Sequence, residues 1–251
     1  MTVFTCAREY EDMLTCIYDA WASKLGHSNI RLELEPIGQY SMFNEYVHIE
    51  ADDKKATSVR DSVMTKISPF FYREIFYCLG YYSDDVLDNI YRMLILGFRY
   101  GNSTFDMIQY EAVNRFKEIK RALGNETCHF KEFLRFHEVR KSIYVAHIEP
   151  RSRVASSLGY SFMDRMLSEY WMIVDDTHKE AVIHPKNEHF YIRRLTDDEY
   201  ATLIMTEQEN DVYTDLWKAF FDNIAIKERT NPRYQRNSIP IWTRKHAVEF
   251  Y

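Results

Sequence analysis

Glycine and proline are scarce in this chain, at 7 and 6 of 251 residues. No glycine-rich run is available to wrap a nucleotide phosphate in backbone amides. Cysteine is scarce too: Cys6, Cys16, Cys78 and Cys128 are the full set, and none form a Cys-x-x-Cys pair. That spacing fits no zinc pattern, so four reduced thiols in a cytoplasmic protein are expected. Long apolar runs are missing as well. The longest, near "MLILGF", is far short of the roughly 20 residues that span a bilayer. The opening "MTVFTCAREYEDML" carries acids where a secretory leader needs an apolar stretch. A cytoplasmic location without membrane contact is therefore expected. Positive charge is in deficit, with a formal net charge of -6. Nucleic acid would have to be met by a local patch rather than by the global field.

What is present is an ordinary folding composition, 46% hydrophobic and 28% charged. The length suits one large domain or two small ones. The acidity is mostly N-terminal: in residues 1–50 only Arg8, Lys24 and Arg31 stand against eight acidic side chains.

Hydrophobic periodicity divides the chain. "TVFTC" is a short strand candidate, and "IRLELEP" and "EYVHIEA" alternate and read as strands. "EYEDMLTCIYDAWASKLG" reads as a helix with Met13, Leu14, Ile17 and Trp21 on one face and Gly26 as its stop. "SPFFYREIFYCLG" has Pro69 just after Ser68, a good helix start, and Gly80 at its end. A helix follows in "DDVLDNIYRMLILGFRYG". In "NSTFDMIQYEAVNRFKEIKRALG", one stripe is expected from Phe105, Ile108, Ala112, Phe116, Ile119 and Leu123. After Thr127, "HFKEFLRF" and "SIYVAHIEP" read as paired strands. "RVASSLGYSFMDRMLSEY" reads as a helix weakened by Gly159, and "YWMIVDD", "EAVIHP" and "HFYIRRL" as three more strands. "DVYTDLWKAFFDNIAI" reads as a buried last helix. The expected class is α+β: N-terminal strands plus a helical bundle, then a mainly antiparallel sheet with packed helices. The best boundary gives regions 1–125 and 126–251, which also fit one compact unit.

The most informative stretch is residues 226–246, "IKERTNPRYQRNSIPIWTRKH". Lys227, Arg229, Arg233, Arg236, Arg244 and Lys245 stand there against a single Glu228. Arginine forks suit phosphate oxygens and guanine edges. Asn231, Gln235 and Asn237 add hydrogen-bonding amides, and Tyr234 and Trp242 add stacking faces. Pro232 and Pro240 predict an irregular loop. Two readings stay open: an anion-binding surface, or a strap whose arginines pair with acids elsewhere.

Other constellations are weaker. His178, His184 and His189 follow no ligand spacing, and Pro185 interrupts them. No metal site and no cofactor are expected. Asp175 and Asp176 read as turn residues, and Asp164 with Arg165 as an ion pair on a helix. No Gly-x-Ser-x-Gly elbow or His-Glu-x-x-His motif occurs. If the chain is catalytic, Asp164 and Asp175 are the candidate carboxylates.

The run "LWKAFFDNIAIKERTNPRYQRNSIP" resembles the C-terminal signature of a bacterial family assigned to DNA repair or DNA metabolism, whose domain is of unknown function. Phe133, Arg135 and Phe136 match its Phe-x-Arg-Phe strand. Tyr144, Ala146, Ile148 and Pro150 match its Tyr-x-Ala-x-Ile-x-Pro strand. Phe162, Asp164, Arg165, Trp171, Ile173 and Asp175 match its Phe-x-Asp-Arg helix and Trp-x-Ile-x-Asp strand. "LGFRYG" also fits, so the likeness spans nearly the whole chain. In that family the domain is typically encoded beside a radical S-adenosylmethionine enzyme. Some members fuse it to a uracil-DNA-glycosylase-like domain, which is not expected beyond Tyr251.

The resemblance implies a DNA-binding accessory to such an enzyme. DNA would meet Lys227, Arg229, Asn231, Arg233, Tyr234, Gln235, Arg236, Trp242, Arg244 and Lys245, with Arg135 and Arg165 beside them. The alternatives are a glycosylase- or nuclease-type enzyme and a protein-docking scaffold without DNA contact. The chain departs from the family pattern at Ser161, where histidine is usual, at His178, where arginine is usual, and at Ile241 and Trp242, where an Arg-Tyr-Trp cluster is usual. Loss of "IWTRKH" is accordingly expected to weaken DNA binding less than loss of charge at Arg229, Arg233 and Arg236.

Overall fold

The five residues Thr2–Cys6 form strand β1, which is buried along most of its length because it lies between two neighbours. β2 (Ile30–Leu34) and β3 (Glu45–His48) flank it, both parallel to it. Parallel neighbours need a crossover, and helix α1 (Tyr10–Ala22) supplies the one between β1 and β2. The alternation in "IRLEL" turns Ile30, Leu32 and Leu34 inward. α1 buries Met13, Leu14 and Ile17 as its periodicity predicts. Trp21 stays 37% exposed, with its ring 4.6 Å from His27 and 5.2 Å from Phe98.

The computed structural model describes residues 1–140, 142–207, 216 and 231–247. The chain forms two compact units, Met1–Leu123 and Gly124–Tyr251, and its class is α+β. Among the described residues no helix is long and apolar enough to cross a membrane.

In the first unit, α2 (Asp53–Lys66) starts where the Asp52 carboxylate accepts the Lys54 and Lys55 amides. α3 (Pro69–Leu79) starts where Ser68 Oγ accepts the Phe71 amide at 2.9 Å, with Pro69 in the first turn where no amide partner is lost. α4 (Val86–Tyr100) crosses α3 closely, since a β-carbon at Gly97 would overlap the Phe71 ring. α4 also covers the open edge of β2. Asp88 Oδ1 accepts the Leu32 amide at 3.1 Å, and Arg92 donates to the Ile30 carbonyl while pairing with Asp88. Side chains thus satisfy a strand edge that would otherwise be sticky.

α5 (Glu111–Phe133) corrects two expectations. The stripe does not run unbroken from Phe105. A 3₁₀ turn over Gly101–Asp106 and a bend before Glu111 shift the helical phase. Val113, Phe116, Ile119 and Leu123 are buried, while Ile108 is 61% exposed. The helix also runs through "HFKEF", so the strand expected there does not form. The apolar spacing of Phe130 and Leu134, both buried, is helical (i, i+4), and it prevails over a short alternating run.

The second unit holds a five-stranded sheet, β4-β5-β6-β7-β8. Its strands are β4 (His137–Arg140), β5 (Ile143–Ile148), β6 (Tyr170–Asp175), β7 (Glu180–His184) and β8 (Tyr191–Arg194). It is mainly antiparallel, with β5 and β6 as the parallel pair. α6 (Ala155–Met163) is the crossover between them. Gly159 is the point of closest approach rather than a weakness: a β-carbon there would lie 2.9 Å from Val182 Cγ1 and Phe190 Cε2. On the other face, Val145, Val174, Ala181 and Leu195 form a core that Tyr200 and Leu203 of α7 (Asp197–Glu207) help cover. α8 (Pro232–Ser238) follows in the tail. The helix expected over "DVYTDLWKAFFDNIAI" falls, apart from Leu216, outside the described residues.

Candidate functional site

Parallel strands end side by side, so residues just past β5 and β6 are carried to one rim of the sheet. The register pairs Ile148 with Asp175, and the Asp176 amide donates to the Ile148 carbonyl at 2.9 Å. Glu149 and Asp176 are thereby neighbours. His147, on β5, points its ring to the same place. Its Nδ1 lies 3.0 Å from Asp176 Oδ1 and 3.3 Å from Oδ2. An ionised carboxylate only accepts, so Nδ1 carries the proton there. The His147 side chain is fully buried and that of Asp176 is 7% exposed. His147 Nε2, buried as well, has no hydrogen-bond partner among the described residues.

The tail completes the cluster. His246 Nε2 lies 3.5 Å from Asp176 Oδ2 and 3.8 Å from Glu149 Oε1. Lys245 pairs with Glu149. The His246 ring centroid is 6.0 Å from that of His147, and the His137 ring centroid is 6.3 Å from that of His147. Among the described residues, Glu149, Asp176 and His246 are the group whose ligand atoms all come within 4.8 Å of one another.

Three histidines singled out by sequence go elsewhere. His178 Nδ1 meets Asp175 Oδ2 at 2.7 Å. His184 stacks on Trp171 with ring centroids 4.7 Å apart and donates through Nδ1 to the Glu169 carbonyl. His189 is exposed. Asp175 closes the β6–β7 turn by accepting the Thr177 and His178 amides, each at 3.0 Å. Burial pushes its carboxyl above the usual range, and the His178 contacts oppose that. Asp164 is exposed at the end of α6. Arg165 is exposed over the Phe162 ring, 5.5 Å from its centroid. Arg135 donates through Nη1 to the Glu132 and Leu134 carbonyls at the end of α5. Ser161 Oγ donates to the Ser157 carbonyl.

The tail divides into two parts. Lys227 and Arg229 lie outside the described residues. Residues 231–236 are all exposed. The loop expected here is instead the short helix α8, started by Pro232 in its first turn and by Asn231 Oδ1 accepting the Tyr234 amide at 3.0 Å. Tyr234 is 70% exposed. Arg233, Gln235 and Arg236 share its surroundings, and no ion pair among the described residues engages either arginine. The second part packs. Thr243 and Ala247 are buried. Trp242 meets the Phe130 ring at 6.0 Å and lies under the Arg151 guanidinium at 4.6 Å. Arg244 Nε donates to the Ile239 carbonyl. Strap and open surface are therefore both present, in different parts of one segment.

Sequence reasoning missed Glu149, Asp176, His147 and His246 as a group. They come from three separate stretches of the chain, and only the parallel pairing of β5 with β6 and the packing of the tail unite them. The usable signal was polar residues just past two strand ends, in "AHIEP" and "IVDD", a position where open α/β sheets place their ligands.

A family model described as a domain of unknown function, DUF4130, matches residues 84–249. The match begins just before α4 and takes in the whole five-stranded sheet. No curated protein matches the chain.

Proposed function

The chain belongs to the DUF4130 family of domains of unknown function, and from that premise we propose that it is a DNA-binding accessory in DNA repair or DNA metabolism, working beside a radical S-adenosylmethionine enzyme. One observation carries the reading: Tyr234, 70% exposed, stands between exposed Arg233 and Arg236 on a capped helical turn. An exposed ring between two arginines offers a stacking face, and bases stack on such faces at about 1–3 kcal/mol each. The flanking guanidiniums supply phosphate contacts, and Asn231 and Gln235 supply further polar ones. Lys227 and Arg229 extend the same basic run in sequence.

The protein partner is implied by the sequence resemblance. Support for a protein-contact face comes from the loop before β3, where Met42 is 97% and Phe43 91% exposed. A cytoplasmic location goes with this reading, and the four free cysteines, of which Cys128 is exposed, agree with a reducing compartment. The enzymatic alternative through Asp164 or Asp175 has less support. The first is a solvated helix end, and the second is occupied in closing a turn.

Fluorescence anisotropy with labelled single- and double-stranded DNA, across a salt series, tests the proposal. Binding that weakens steeply with salt is expected, with a slope reduced by about 0.7–0.9 for each phosphate contact removed. No binding at low salt, with and without the radical enzyme, would sink it.

A further inference from the structure

We propose that Glu149, Asp176 and His246 form a binding site for one divalent first-row transition-metal ion, with His147 orienting the Asp176 ligand. This goes beyond the DNA-binding reading and does not depend on it.

The geometry is the first ground. Ligands about 2.0–2.2 Å from a common ion stand roughly 3.0–3.6 Å from one another in octahedral or tetrahedral arrangements. His246 Nε2 is 3.5 Å from Asp176 Oδ2 and 3.8 Å from Glu149 Oε1, and all three ligand atoms lie within 4.8 Å of each other. A small contraction brings them to coordination distance. As direct contacts between the side chains, the same separations are long for good hydrogen bonds.

The second ground is His147. Its side chain is fully buried, and it holds Asp176 from behind through Nδ1. Metal-ligating carboxylates are commonly held in this way by a hydrogen-bond donor outside the coordination shell. The shorter of the two His147 contacts goes to Oδ1, at 3.0 Å, and leaves Oδ2 turned toward His246.

Charge is the third ground. Two carboxylates converge at the rim of the sheet, and the ammonium of Lys245 neutralises Glu149 from the surface. The Lys245 side chain is 59% exposed, so a cation bound by the two carboxylates would compete with it for Glu149. One imidazole with two carboxylates favours Mn²⁺, Fe²⁺ or Zn²⁺ over Mg²⁺ and Ca²⁺, which prefer all-oxygen shells. Water would fill the remaining positions.

Calorimetric titration of the full chain with MnCl₂, with ZnCl₂ and with MgCl₂, without DNA, tests the site. One ion per chain is expected. Asp176→Asn and His246→Gln should each weaken binding at least tenfold, and Lys245→Met should tighten it by removing the competing charge. His189→Gln, at an exposed histidine outside the cluster, should change nothing. If Asp176→Asn fails to fold by circular dichroism, Glu149→Gln at the more exposed ligand carries the test and should also weaken binding tenfold. No binding of either ion, binding unchanged by all three ligand substitutions, loss of binding in His189→Gln, or preference for Mg²⁺ would each overturn the proposal. Because DNA is absent, failure here leaves the DNA-binding reading to its own salt-dependent assay.

Discussion

The two parts of the basic tail carry the same kinds of residue and are used in opposite ways. In residues 231–236, two arginines and a tyrosine face solvent on a short helix. In residues 241–247, a tryptophan lies against Phe130 and Arg151, a lysine pairs with Glu149, and a histidine reaches Asp176. Composition does not tell the two apart. The difference comes from what each part meets: the first is exposed with no ion pair among the described residues, while the second crosses a rim where two strand ends present carboxylates. A cationic segment is a binding surface only where the fold leaves it unopposed.

That contrast can be broken at several points. The largest effect on folding should come from Trp242→Ala. A half-buried tryptophan between a ring and a guanidinium should cost about 2–3 kcal/mol on truncation, below the 3–5 typical of a core site. A denaturant midpoint measures this, and an unchanged midpoint would mean that the second part is no strap. Next is the double variant Arg233→Ala with Arg236→Ala. Stability should stay within about 0.5 kcal/mol, as for exposed positions. DNA affinity at low salt should fall ten- to a hundredfold, and the salt slope should drop by about 1.4–1.8 for two phosphate contacts. A loss of stability instead would make the first part structural too.

Tyr234→Ala sharpens the comparison further. Loss of one stacked base predicts about tenfold weaker binding to single-stranded DNA, with the salt slope unchanged, because stacking releases no counterions. The smallest stability effect belongs to Lys245→Met. Its partner is a surface carboxylate, so the midpoint should move by less than about 1 kcal/mol. A larger loss would show that Lys245 is needed to neutralise the rim even without an added cation.

Much of the architecture was legible in the chain. Ser68 and Pro69 announced α3, the alternation in "IRLEL" and "EYVHIEA" announced β2 and β3, and "YWMIVDD" read as the strand that became β6. The failures were local. "HFKEFLRF" holds both an alternating and a helical spacing, and burial of Phe130 and Leu134 decided for the helix. Ile108 looked like part of a stripe, yet the 3₁₀ turn before it broke the phase. Gly159 looked like a flaw in a helix and is the residue that lets α6 approach Val182.

The site was far less legible. Local spacing can reveal ligands that share one turn or one helix face, and His178, His184 and His189 were close enough to test in that way. They diverge because they sit on different elements: His178 in the β6–β7 turn meets Asp175, His184 at the end of β7 stacks on Trp171, and His189 before β8 is exposed. By itself, the sequence determined most of the element types, the α+β class and the location of unbalanced positive charge, since periodicity, capping and charge are properties of neighbours along the chain. Only the tertiary structure decided which basic residues stay open and which acids meet the tail. That outcome depends on β5 and β6 running parallel across α6, so that Glu149 and Asp176 end side by side where His246 arrives.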